Sequence, residues 1–113
     1  MNIEKEVIAY LKGALDTEHV YAEVSDSTAE EFFVVDKTGS STEENLCTST
    51  LAIQSYGDRK VRASELNEIL KDAMEGITDR DGITGCHLVT DYNYSNITKK
   101  QHRYQAVFEI THY

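Results

Sequence analysis

Apolar positions recur at helical spacing near the N-terminus: Ile3, Val7, Tyr10, Leu11, Ala14 and Leu15, with Glu4, Lys5, Glu6 and Lys12 between them. Such a period gathers the apolar side chains on one face, so residues 2–16 are predicted as an amphipathic helix, weakened somewhat by Gly13. Residues 20–24 read as a short strand and residues 25–28 as a turn. The β-branched and aromatic run Phe32-Phe33-Val34-Val35 predicts a strand over 31–38. Residues 38–45 contain no apolar side chain to bury and read as a loop. Strand alternation resumes over 46–56, with Cys47, Ser49, Leu51 and Ile53 on one face and Thr48, Thr50, Ala52, Gln54 and Tyr56 on the other.

Gly57 and Asp58 punctuate the chain, and Asp58 has the side chain of a helix N-cap. Ala63, Leu66, Leu70, Ala73 and Ile77 then repeat at steps of three and four, predicting a second helix over 59–75 with Gly76 as its C-cap. Asp79-Arg80-Asp81-Gly82 reads as a turn. Residues 84–94 and 103–112 alternate as strands, joined by the polar hairpin loop 95–102. The predicted order is α-β-β-β-α-β-β. It describes an α+β, two-layer fold: a mostly antiparallel sheet of four or five strands with two helices on one face.

At 113 residues the chain has the length of one domain, 1–113, with no interior linker or repeat. Its net charge of -9 argues against nucleic acid or an anionic membrane as main partner, since both are held by cations. The charge is uneven: residues 1–46 hold eleven acids and three bases, residues 47–113 nine acids and eight bases. Either neighbouring copies meet through complementary surfaces, or the excess charge serves solubility. The N-terminal residues lack the pattern of a secretory signal, which predicts a cytoplasmic origin, and no apolar run has the length of a membrane helix. Two cysteines, Cys47 and Cys86, form no disulfide framework and read as small core residues.

Catalytic patterns are sparse. His19, His87, His102 and His112 are not at metal-ligand spacing, and neighbouring strand residues such as Cys86 and His87 point apart. Asp79-x-Asp81-Gly82 lacks the later ligands of a calcium loop. Asp36 and Lys37, adjacent on a strand, diverge and cannot form a nuclease site. The chain has no phosphate-binding glycine loop and no nucleophile elbow. No cofactor is expected. Tyr92, Tyr94 and Tyr104 are placed to meet across the last hairpin, as packing on a sheet face or as an interface.

Three stretches carry a resemblance: Glu31-Phe32-Phe33-Val34-Val35-Asp36-Lys37-Thr38-Gly39, then Leu51-Ala52-Ile53-Gln54-Ser55-Tyr56, and the ending Arg103-Tyr104-Gln105-Ala106-Val107-Phe108-Glu109-Ile110-Thr111-His112. Their order and spacing resemble the tail terminator, or tail completion, proteins of long-tailed bacteriophages and prophages. Ser40 stands where many relatives carry a second glycine, and Tyr56 where many carry tryptophan. The resemblance implies a non-enzymatic subunit of a ring, expected to be hexameric, that caps the tail tube, ends its polymerisation and offers a surface to the head. Its expected partners are further copies of itself, the tail tube protein and the head–tail connector protein. Its expected location is the host cytoplasm during assembly and the head-proximal end of the tail in the virion. A head–tail joining protein is the alternative in the same biology; a small enzyme or nucleic-acid-binding domain is the alternative of another class.

A ring of identical copies joins two different faces of each. The candidate interface residues are Ser40, Ser41, Glu43 and Glu44 in the first polar stretch, Arg59 and Arg62 at the second helix, and Lys99, Lys100 and Arg103 around the hairpin loop. Both polar stretches are expected to be mobile in the free protein and to order on contact with a partner. Lys99, Lys100 and Arg103 are expected to be exposed charges that can be reversed without loss of folding.

Overall fold

The first helix, α1 (Ile3–Ala14), begins where the Asn2 side chain accepts a hydrogen bond from the Lys5 N–H at 3.2 Å. This satisfies one amide that a helix start leaves open. Ile3, Val7 and Leu11, one helical turn apart, are its buried residues. The computed structural model describes residues 1–24 and 29–113, so the turn expected over 25–28 lies outside the described residues.

Five strands form one sheet: β1 (Val20–Tyr21), β2 (Phe32–Glu43), β3 (Leu46–Gly57), β4 (Ile83–Asn93) and β5 (His102–His112). Their order across the sheet is β1-β2-β3-β5-β4. β1 runs parallel to β2, and every other neighbouring pair is antiparallel. The predicted α+β class and element order are therefore those of the molecule. β1 is shorter than expected: two residues pair, and Val24 lies outside the strand.

The expected loop over 38–45 is strand to Glu43 and then a two-residue turn. Gly39 to Glu43 pair with Thr50 to Leu46 after a bulge between Lys37 and Gly39. Glu44 and Asn45 both have positive φ, 50° and 69°, the mark of a type I′ hairpin turn. Serine and threonine suffice here because β3 supplies the hydrogen bonds, and neither face of the ribbon needs an apolar side chain.

The second helix, α2 (Lys60–Met74), is capped neither at Asp58 nor by a side chain: Arg59 is the extended N-cap residue and makes no capping bond. The helix start is fixed by packing. A Cβ on Gly57 would lie 2.7 Å from the Ala63 nitrogen, a distance that excludes any larger residue without a shift. At the other end Gly76 is no left-handed cap. Its φ is -88°, and the chain continues directly into a 3-10 turn at Ile77–Asp79.

Phe33, Val35, Leu51, Ile53, Ala106, Phe108 and Ile110 face the helices and form one core with Ile3, Val7, Leu11, Leu66, Leu70 and Met74. The Tyr10 hydroxyl donates to the Ala73 carbonyl at 2.6 Å, tying α1 to the last turn of α2. Glu6 and Arg80 pair at 2.9 Å and tie α1 to the chain entering β4.

Candidate assembly surfaces

The residues singled out in the sequence fall at three places. Ser40, Ser41, Glu43 and Glu44 are exposed around the β2–β3 turn. This stretch is edge strand, since β1 pairs only as far as Val34 among the described residues. Arg59 is exposed at the start of α2, whereas Arg62 grips Glu31 through two bonds of 2.5 and 3.1 Å. The hydrogen bond from Arg62 holds the Glu31 carboxyl below its ordinary pKa against the opposing effect of burial. Lys99 and Lys100 are exposed at the β4–β5 turn, at the opposite end of the sheet from Glu43 and Glu44.

Arg103 is not the free charge expected. Its Nε donates to the Tyr94 carbonyl at 2.6 Å and its Nη1 to the Tyr56 hydroxyl at 2.9 Å. Its guanidinium sits 4.5 Å from the Tyr94 ring centre and 5.7 Å from that of Tyr56. The loop 95–102 is likewise built rather than loose. Asn96 and Gln101 form a bridge, Ser95 Oγ donates to Asn93 Oδ1 at 2.7 Å, and Lys100 closes the turn at a φ of 55°.

The sheet face away from the helices carries a feature that periodicity alone does not reveal. Val34, Ala52 and Tyr56 are buried there, outside the helix-side core. Phe32 stacks on Tyr56 at 4.3 Å, Tyr21 leans on Phe32, and Tyr92 meets Tyr94 edge-on at 5.9 Å. A chain of hydrogen bonds crosses the strands beside these rings. Tyr56 donates to Gln54 at 3.0 Å, Gln54 to Gln105 at 2.9 Å, and Gln105 to Tyr92 at 2.5 Å. Both side-chain amides, Gln54 and Gln105, thus donate and accept one bond each. Tyr104 does not join this group. It pairs with Asn93 and Ser55 and borders a cleft with Val61 and Glu65 of α2 on the helix side.

Apolar side chains are also exposed at several places, Val61 on α2 and Tyr113 at the C-terminus among them. Leu88, Val89, Tyr92 and Tyr94 are exposed along the β4 edge, and Ile97 is 89% exposed at the β4–β5 turn. Between the end of α1 and α2 lies a groove of about 390 Å³, with Leu15, Phe33, Leu66 and Ile69 among its lining residues.

The structure also brings together a pair that sequence reading missed. Ser49 Oγ and His112 Nε2 hydrogen-bond at 2.8 Å, and His112 Nδ1 lies 3.1 Å from the Tyr113 carbonyl. This is the layout of a nucleophile and base. Ser49 is 1% exposed and His112 4%, so substrate has no access to the hydroxyl. Among the described residues no three histidine, cysteine, aspartate or glutamate side chains gather to hold a metal ion. Among them, too, no helix is long and apolar enough to cross a membrane.

No family model matches the sequence, and no curated protein matches it. Among solved structures the fold is similar to a chain of the "Virion of native gene transfer agent (GTA) particle". The TM-score is 0.60 at 14% identity, covering 97% of this chain and 93% of that one. At that identity the likeness is one of fold, and it runs through nearly the whole of both chains.

Proposed function

We propose that residues 1–113 form a single domain that is a structural subunit of a phage-like particle: a tail terminator whose copies close into a ring, a hexamer on this reading. The ring caps the tail tube, ends its growth and presents a surface to the head connector. The observation that carries this reading is the fold likeness to a virion chain over 97% of the sequence. The tail-terminator resemblance of the sequence supports it independently. On this reading the protein assembles in the host cytoplasm and resides at the head-proximal end of the tail.

On this reading the protein acts through surfaces rather than through an active site; the Ser49–His112 pair found among the described residues is sealed in the sheet. The surfaces on offer are the Ser40–Glu44 ribbon, the aromatic sheet face and the Lys99–Lys100 turn. They lie on separate sides of the molecule, which suits a subunit that must touch its own copies, a tube below and a connector above.

The test is electron microscopy of tails assembled with and without this protein. The expected result is a ring at the end of each tube when it is present and overlong tubes when it is absent. Tubes of unchanged length with no terminal ring would refute the reading. A ring bound to connectors but never to tubes would instead identify a head–tail joining subunit.

A further inference from the structure

The β4–β5 turn and the α1–α2 groove lie at opposite lateral margins of the sheet but at the same end of its strands. β4 and β1 are the two outermost strands. The groove is lined by Glu31 and Phe33 at the start of β2. That start pairs with Tyr56, and Tyr56 pairs with Arg103 at the base of the β4–β5 turn. A second copy set beside the first, in the same orientation, would place the turn of one on the side of the other that holds the groove.

The two margins are complementary in shape and charge. Ile97 stands out from the turn at 89% exposure, next to the exposed Lys99 and Lys100. Residues 83–113 hold only two carboxylates, Asp91 and Glu109, and Asp91 is already paired with Lys71. The groove offers Leu15, Phe33, Leu66 and Ile69; its lining cation Arg62 is held by Glu31, and exposed Asp16, Glu18 and Glu30 adjoin lining residues in sequence. Apolar knob, apolar groove, cationic flank and neighbouring acids form the pairing expected of a heterologous, head-to-tail contact.

We infer that Ile97 of one copy seats in the α1–α2 groove of the next, with Lys99 and Lys100 against the neighbouring acids. This rests on the ring reading above and names the contact that builds the ring. Because knob and groove are different surfaces, each copy keeps one free half, and the contact repeats until the ring closes.

The test uses two variants of the full chain. Ile97→Asp removes the knob, and Ile69→Arg fills the groove with a cation that repels Lys99 and Lys100. Ile97 is exposed and Ile69 half-exposed, and far-UV circular dichroism checks that both variants fold. Glu18→Lys with Glu30→Lys is a second groove variant confined to exposed side chains. Sedimentation velocity over a concentration series is expected to find each variant associating roughly ten- to a hundredfold more weakly than the parent. Mixed one to one, a knob variant and a groove variant retain one working contact between them, so they form dimers and stop there. A mixture that stays monomeric, while the parent associates, overturns the inference. Variants that form the same ring as the parent overturn this contact and leave the ring reading standing. A parent protein that forms no ring in solution or at tail ends overturns both.

Discussion

Asp91 is the side chain on which β4 and α2 depend for their polar contact. Its carboxylate accepts from Asn67 at 2.8 Å and from Lys71 at 2.9 Å. The Lys71 hydrogen bond, helped by Asn67, holds its carboxyl below the ordinary carboxylate range although burial opposes this. The unfolded chain therefore takes up the proton at higher pH than the folded one. The stabilisation is full above the ordinary aspartate pKa and is lost as pH falls through the depressed folded value. Asp91→Ala leaves the Asn67 amide, 1% exposed, without its acceptor; the expected loss is about 1–3 kcal/mol in urea denaturation. Asp91→Asn keeps an acceptor for Asn67, and should lose less and flatten the acid limb of the stability profile. Arg103 makes a second residue-scale prediction. Lys99→Glu with Lys100→Glu alters exposed side chains and should leave the melting temperature nearly unchanged. Arg103→Glu removes a cation held against two tyrosine rings and should lower it clearly, since such contacts contribute about 0.5–2 kcal/mol before the hydrogen bonds are counted. Cys86 behaves differently again: burial pushes its thiol up to about 11, so it should resist alkylation at neutral pH until the protein unfolds.

The β2–β3 hairpin makes the corresponding prediction for an element. Glu44 and Asn45 both sit in the left-handed region, which costs an ordinary side chain about 1–2 kcal/mol. Asn45→Gly should raise the melting temperature and Asn45→Val should lower it, because asparagine tolerates this backbone and a β-branched residue does not. The same hairpin explains what the sequence could and could not reveal. Hydrophobic periodicity reports burial, so it located α1, α2 and the buried halves of the strands to within a few residues. It is silent on a ribbon held chiefly by backbone hydrogen bonds, and Ser40, Ser41 and Thr42 therefore read as loop. The side chain of Asp58 suggested an N-cap, but the cap residue is Arg59 without a capping bond, and Gly57 packs closely on Ala63 instead. Of the surface, Lys99 and Lys100 were legible as exposed cations. Arg103 was not legible as a packed one, nor Gln54 and Gln105 as a paired cross-strand chain, because those roles depend on which residue lies opposite on the next strand.

At the scale of the whole molecule, the body measures 44 × 25 × 24 Å, and its longest strands, of 12 residues, at about 3.3 Å per residue account for the long dimension. Six copies set side by side across the 25 Å width, with strands along the ring axis, would form a ring 44 Å tall and about 75 Å across. Class averages of tail ends measure both dimensions directly, and a ring of a different breadth would exclude this lateral arrangement. The aromatic sheet face has a further consequence, an optical one. The chain contains no tryptophan, so its near-ultraviolet signal comes chiefly from seven tyrosines and three phenylalanines. Tyr21, Tyr56, Tyr92 and Tyr94 are all held on or beside that one face. Near-ultraviolet circular dichroism depends on how tightly such rings are fixed. The protein therefore carries its own unlabelled reporter: a partner that covers the sheet face perturbs these four tyrosines, whereas one that covers the helix side leaves them as they were and meets Tyr104 instead.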